Sequence, residues 1–523
     1  MTHLTRSILG LITAAASITL NAALVSLDSD GRLRFTAEEN GNVIPDFSHC
    51  GFMAGELPIP EASVVATLMP QLSGDDGSRI QSAIDEVSHR RPNAAGLRGA
   101  ILLRAGTYRV GNSLRISVDG VVLRGEGKRT RIIATGNRER TLIVIDSPRR
   151  NKGYTIAKRE IADEIVPLGA RLFRLESANG IRPGNRILVE RRGNANWIKA
   201  IGMDRIPPRN KGGKPLHWGP FSISFDRVVT AVDTASGMIA LDAPLGARIE
   251  KRWGGGSVSG WEQDDRLRFV GIEHLRLESE FNASITARNR GGKEYLADEK
   301  HCNLFIKFQN VIHSWAHHVT MANGNHGITL GRGSKWITVR DCQVESFVSQ
   351  ITGGRRYGFT MEGNLGLVMR CSVKHGRHAF AVGSRVTGPN AFVHCSSEAE
   401  FGGSEPHHRW SVAGLYDNVQ GTILVQNRVN MGSGHGWSGA NYVLWNCTGV
   451  ATCQQPPTAQ NYAFGHVGRK EPGHFARNPE AAKAYGINDG HWESYGTRMQ
   501  PPSLFEQQFI DRLGTAKLGN LSD

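Results

Sequence analysis

Between residues 355 and 437 the chain concentrates side chains that hold charge and move protons. They are Arg355-Arg356-Tyr357, Lys374-His375-Gly376-Arg377-His378, Glu405-Pro406-His407-His408-Arg409-Trp410, Tyr416-Asp417, Asn427-Arg428 and Gly434-His435-Gly436-Trp437. Removing the proton beside a uronate carboxylate needs a cation on the carboxylate, a base near neutral pKa and an acid for the leaving oxygen. Arg, His and Tyr supply all three without a metal. The expectation is Arg409 or Arg385 as carboxylate clamp, His408 as base and Tyr416 or His435 as acid. Arg355, Arg356, Tyr357, Arg377, His378, His407 and Arg428 would bind substrate around them. Trp410 and Trp437 either stack on sugar rings or pack a strand flank. Any single histidine here has a structural alternative as a hydrogen-bonding residue, so the cluster carries more than its members.

A repeat positions these groups. Four cysteines follow apolar residues, in Val339-Arg340-Asp341-Cys342, Val368-Met369-Arg370-Cys371, Phe392-Val393-His394-Cys395 and Leu444-Trp445-Asn446-Cys447. Counting the last gap as two coils, with Val425-Gln426-Asn427-Arg428 on the missing rung, gives roughly 26 residues per coil, as a three-stranded β-helix turn requires. Thiols stacked inward are small buried hydrophobes and carry no chemistry. Arg356, Arg385 and Arg409 each lie 14 residues beyond one of the first three cysteines. Matched registers would place them in a column with a strand spacing of ~4.8 Å. Like charges that close need anions between them. Either Glu362, Glu398, Glu400, Glu405 or Asp417 pairs them structurally, or they read successive carboxylates or sulfates along a glycan, to which Arg geometry is suited.

The other elements follow in order. Residues 1–23 read as an export signal: Arg6, an apolar run from Ile8 to Leu20, then Asn21-Ala22-Ala23. This run is shorter than the ~20 residues a membrane span needs, so a secreted or periplasmic location is expected. Residues 24–60 read as a linker. In 61–149, Gly74-Asp75-Asp76-Gly77-Ser78 opens a helix with an Ile80, Ile84, Val87 stripe, and Ala100–Val110 and Leu114–Leu123 read as strands. Residues 150–262 read as an inserted β-rich subdomain, 263–466 as the main coils, and 467–523 as a tail. In that tail Ser503 and Glu506 have capping-box spacing before Phe509 and Leu513, and Gly514 stops the helix. The seven cysteines form no zinc spacing, and a Cys447–Cys453 pair is the one disulfide left open.

GDDGSRIQSAIDEV followed by GAILLRAGTYRV resembles the N-terminal cap and first coil of the pectate-lyase-like β-helices. That resemblance covers roughly residues 60–145 and 265–465. It implies an all-β, right-handed parallel β-helix with a cap helix, the cap being needed because an open solenoid end exposes core and strand edges. The segments at Arg355–Tyr357, Gly376–His378, Gly388–Asn390, His407–Trp410, Asn427–Arg428 and Gly434–Trp437 are similar to those of a group of exported bacterial proteins, which speaks for the fold and not for a reaction. The superfamily contains lyases, hydrolases, epimerases and phage depolymerases, so it does not choose the chemistry. The aspartate cluster of the calcium-dependent pectate lyases is not found, and no cofactor is expected. Gly434-His435-Gly436 resembles the G-H-G of polygalacturonases without their accompanying aspartate motifs.

The net charge of +14 favours a polyanionic partner, and no nucleic-acid-binding motif is present. The resulting expectation is a monomeric polysaccharide lyase acting on a uronic-acid polymer. The alternatives are a glycoside hydrolase using carboxylates such as Glu398, Glu400 or Asp417, and a non-catalytic glycan-binding solenoid.

Overall fold

Successive segments of the chain lie on one another in parallel, each rung hydrogen-bonded to the next. In a computed structural model that describes residues 23–148 and 153–522, Lys335–Arg340, Gln343–Phe347 and Tyr357–Met361 make one coil. Leu367–Met369, Ser372–Lys374 and His378–Val382 make the next, and Thr387–Val393, Ser396–Glu398 and Glu405–Pro406 the one after. The register runs Val339 to Val368, to Phe392, to Tyr416, to Leu444. This is a right-handed parallel β-helix, the hand that crossovers between parallel strands adopt. The expected export signal lies outside the described residues except for Ala23. Among the described residues no helix is long and apolar enough to cross a membrane.

The corner before each inward cysteine explains the repeat. Asp341, Arg370, His394, Asn418 and Asn446 all adopt left-handed backbone, with φ between 49° and 55°. For non-glycine residues that conformation costs on the order of 1–2 kcal/mol each, so the turn must recur because the packing on either side imposes it. The residues that follow are Cys342, Cys371, Cys395, Val419 and Cys447, all buried. The coil lacking a cysteine is therefore completed by Val419, and not by Val425-Gln426-Asn427-Arg428. All seven cysteines are free and buried, including Cys447 and Cys453. In the interior Phe359 stacks on Phe380 and Phe392 on Tyr416, and the two pairs meet at a tilted Phe380–Phe392 contact, with centroid distances of 5.2–5.8 Å.

The helix Gly77–Ser88 closes the N-terminal end by burying Ile80, Ala83, Ile84 and Val87. Asp75 caps it, accepting from the Gly77 amide at 2.7 Å, while Asp76 turns to Arg79. Within the inserted stretch, Arg186–Arg192 pairs antiparallel with Ser222–Asp233 on one side and Gly256–Trp261 on the other. Its apolar face, including Trp197, Met203 and Trp218, packs against Trp410, Val412, Val429 and Trp437 of the coils. The helix Leu504–Leu513 lies on a flank of the solenoid. Ser503 Oγ caps it by accepting from the Glu506 amide at 3.2 Å, and Leu504, Phe505 and Phe509 are fully buried.

Candidate active cleft

The sheet Leu114–Ile116, Arg140–Asp146, Cys302–Gln309, His326–Leu330, Tyr357–Met361, His378–Val382, Glu405–Pro406 aligns polar residues at one end of its strands. His326, Tyr357 and His378 occupy the same register on three consecutive rungs. Beside them opens a cleft of about 620 Å³ lined by Arg377, His378, Glu400, Glu405, Arg428 and Arg469, among others.

Glu405 sits at its base with 1% of its surface exposed. Its carboxylate accepts from Arg428 Nη1 at 2.7 Å and lies 3.1 Å from His378 Nδ1. Burial pushes its carboxyl up to about 7, against the opposing pull of Arg428 and Arg377. The same His378 Nδ1 lies 2.8 Å from the Gly403 carbonyl oxygen. A carbonyl can only accept, so Nδ1 carries the proton, and in the neutral ring Nε2 presents a lone pair. Nε2 is buried and has no hydrogen-bond partner. Burial, and then the Arg377 charge, holds this imidazole well below its ordinary pKa and so keeps it neutral. Arg428 Nε and Arg377 Nη1 are also buried donors without a partner. Tyr357 stands over the group, its ring 4.9 Å from that of His378 and 5.6 Å from that of His407, and burial raises its hydroxyl pKa. The arrangement thus contains an oriented base, two guanidinium groups with spare donors, a protonated phenol and a carboxyl near its midpoint.

A row of imidazoles leads away from the cleft. His407 Nδ1 meets His408 Nδ1 at 2.9 Å, and the His435 ring lies 4.9 Å from His407 and 5.0 Å from His408. Burial followed by Arg409 lowers His408 to about 4, and burial followed by Arg428 lowers His435 to about 3. These rings are neutral near pH 7. Beyond them Arg385 and Arg409 fall on neighbouring coils, because Val382 pairs with Pro406. Arg409 Nη2 donates to the Ser433 carbonyl at 2.8 Å, and Arg385 lies over the Phe221 ring at 4.1 Å.

Several expected roles are corrected. Arg356 does not join the arginine column: its backbone neighbour on the next coil is Arg377. The loop between Phe347 and Tyr357 lengthens its coil, so equal counts from the cysteines do not give equal positions. Arg356 is buried, donating to the Ser349 carbonyl at 2.7 Å, and burial lowers it to about 10. Arg355 pairs with Glu299. Tyr416 belongs to the interior aromatic stack, its hydroxyl donating to the Phe380 carbonyl at 3.1 Å, and cannot be an acid toward substrate. Trp410 meets Trp197 edge-on at 5.1 Å, and Trp437 donates to the Ile201 carbonyl at 3.1 Å. Both are roofed by the insertion and present no face to a sugar. The Gly434-His435-Gly436 turn lies under the same roof: at Gly436, φ is 54° and a Cβ would come within 2.4 Å of Trp218. Of the alternative carboxylates, Asp417 is buried and holds the flanking helix through Ser503 Oγ and the Phe505 amide, and Glu398 pairs with Lys374. Glu400 does line the cleft, but accepts from the Thr422 amide at 2.9 Å.

Glu405 as the centre of the site was missed. So were Arg469, Glu471, His474 and Arg477, which line the cleft from the last coil and the segment after it. Only the register that stacks this coil on the previous one brings them there, with Thr448 paired to Val467. His378, Glu405 and His407 also place one ligating atom each within 4.8 Å of the others. Arg428, already bonded to Glu405, supplies the cationic partner there, which makes this carboxylate a poor metal ligand.

No protein-family model and no curated protein matches the chain. Among solved structures it is similar to the tailspike protein gp49 from Pseudomonas phage LKA1, at 11% identity and TM-score 0.41, over 76% of this chain and 56% of that one. It is also similar to the tailspike protein of E. coli bacteriophage HK620 in complex with pentasaccharide, at 12% identity and TM-score 0.39, over 86% and 61% respectively. The Pseudomonas phage phi297 tailspike gp61 aligns at 10% identity and TM-score 0.31, over 76% and 67%. The chain therefore spans well under two thirds of the length of the first of these tailspikes. The parallel β-helix expected from the resemblance is present, and no comparison places the chain in the pectate-lyase-like superfamily.

Proposed function

We propose that the protein is an exported carbohydrate-active enzyme that binds an acidic, uronic-acid-containing polysaccharide in the cleft and cleaves it by β-elimination. The observation that carries this reading is His378: an imidazole kept neutral, fixed by Gly403 and Glu405 through Nδ1, with its Nε2 lone pair unpartnered in a cleft that Arg377 and Arg428 also line. A base oriented by a third group and flanked by carboxylate-binding cations is what proton abstraction beside a uronate requires. The base thus moves from His408 to His378. Arg377 and Arg428 hold the carboxylate, and Tyr357 protonates the leaving oxygen. The phage neighbour whose structure contains a pentasaccharide is compatible with a glycan ligand and adds nothing about this reaction. The test is a panel of acidic glycans followed in parallel by ultraviolet absorbance of unsaturated ends and by reducing ends. The reading expects both signals from one polymer. Binding with no change in chain length would leave a glycan-binding solenoid and refute cleavage.

One observation favours hydrolysis as a second reading: a carboxyl held near pH 7, as Glu405 is, suits a general acid. Reducing ends without absorbance would select it.

A further inference from the structure

On other coils, away from the cleft, three histidines meet at a corner. His274 and His318 are the left-handed corner residues of two neighbouring coils, with φ of 52° and 51°, and the register sets Glu273 beside His317 and Leu275 beside Val319. The His274 and His318 rings stack at 4.8 Å, and His317 stands edge-on to them at 5.0 and 5.3 Å. One ring nitrogen from each of the three lies within 4.8 Å of the other two. We propose that His274, His317 and His318 form a binding site for a divalent transition-metal ion of the zinc type.

Two further features point to a ligand and not to a stack of rings alone. His317 is 8% exposed, its Nε2 faces Glu273 Oε1 at 3.5 Å, and its Nδ1 is buried with no hydrogen-bond partner. A carboxylate on the far nitrogen of a histidine is the usual support of a metal-bound imidazole, because it fixes the ring and raises its basicity. Glu273 is itself held, accepting from Trp315 Nε1 at 2.7 Å and paired with Arg124, so it orients His317 while remaining outside the ligand set. Ligand nitrogens on a tetrahedral zinc, each ~2.0–2.1 Å from the ion, lie about 3.4 Å apart. Because the His274 and His318 rings stack 15° from parallel, closing the remaining gap requires the half-buried His274 ring to tilt out of the stack toward the ion. Glu273 and Arg124 face the trio with opposite charges. Three neutral imidazoles select zinc, copper or nickel over calcium or magnesium. They also leave a fourth position for water.

The test uses the full chain without a histidine tag, stripped with chelator and titrated calorimetrically with zinc chloride. Cobalt(II) absorbance then reports a four-coordinate nitrogen-rich site. One equivalent should bind, more weakly in acid because protons compete for the same nitrogens. His274→Ala and His318→Ala, both at half-exposed positions, should abolish that equivalent while far-ultraviolet circular dichroism stays unchanged. Glu273→Gln should weaken it by roughly 10–100-fold. His378→Ala should leave it intact. The proposal is overturned if the stripped protein binds no zinc saturably, or if binding survives His274→Ala combined with His318→Ala. Loss in His378→Ala alone would overturn it too, by assigning the ion to the cleft.

Discussion

His378 differs from the other imidazoles around the cleft in having its tautomer dictated by a backbone carbonyl. This makes its role separable by mutation. His378→Ala should lower kcat/KM on the glycan found by the panel by about 10²–10⁴-fold, the usual contribution of a positioned general base, while His408→Ala costs far less. Circular dichroism should show both variants folded. The pH profile separates the two chemistries. A base whose pKa is depressed by burial and by Arg377 stays neutral below the ordinary histidine range, and a phenol raised by burial stays protonated above pH 8. Elimination therefore predicts a rate that does not fall from pH 6 to 8, and that rises where ionised Glu405 beside Nδ1 strengthens the base. If Glu405, near 7, must donate the proton instead, the rate falls as pH rises through that value. Little of this was readable from residue types. Arg377, His378 and Arg428 stood out as a crowd, but the base among several histidines is chosen by Gly403 and Glu405, whose proximity is a property of the coil register.

At the scale of elements, the repeat was legible because the interior repeats residue types. Cys342, Cys371, Cys395 and Cys447 all follow left-handed corners, and only Val419 hid its rung by substituting another small apolar group. Counting forward from that column failed at Arg356, because loops between strands vary in length while strands do not. It failed again at Trp410 and Trp437, since no periodicity within the coils announces that another sheet will cover them. That cover is pinned by a buried charge cluster. Asp226 of the inserted sheet lies 2.8 Å from Arg186 Nη2, 2.9 Å from Arg266 Nη1 and 3.7 Å from Lys335 Nζ of the solenoid. Burial alone would raise the Asp226 pKa, and the three cations overcome it and hold the carboxyl far below its usual range. Asp226→Ala removes the shared carboxylate of this cluster, leaving Lys335 to Asp242 at 2.7 Å, Arg266 to Asp264 and Arg186 to Asp264 at 3.8 Å, and should cost about 3 kcal/mol. Since the folded pKa lies below the unfolded value of ~3.9, this contribution is complete above pH ~4 and disappears as pH falls further. Urea unfolding should show the full gap between wild type and variant at pH 7, narrowing only in stronger acid. A gap that stayed constant into strong acid would refute the linkage.

For the whole molecule, the segment around residues 44–56 and the helix Leu504–Leu513 meet on one flank of the solenoid. Gln508 of the helix Leu504–Leu513 accepts from the Phe47 amide at 2.9 Å and donates to the Pro45 carbonyl at 3.0 Å, and Arg512 Nη2 donates to the Ser48 carbonyl at 2.7 Å. Beneath them Phe47, Phe505 and Leu504 share one apolar cluster with Leu367, Val393, Leu415, Val443 and Phe464, which come from five different coils. In a solenoid each coil otherwise touches only its neighbours, so the ends can fray independently of the middle. A belt that crosses five coils removes that independence. Phe505→Ala should cost about 3–5 kcal/mol, as for a fully buried phenylalanine. Its effect should appear far from the mutation: native-state hydrogen exchange should accelerate in residues 44–56 as well as 503–513, while the cap strand Gly99–Leu103 keeps its protection. Acceleration confined to 503–513 would mean that the two segments dock separately and that the coils, not the belt, hold the molecule together.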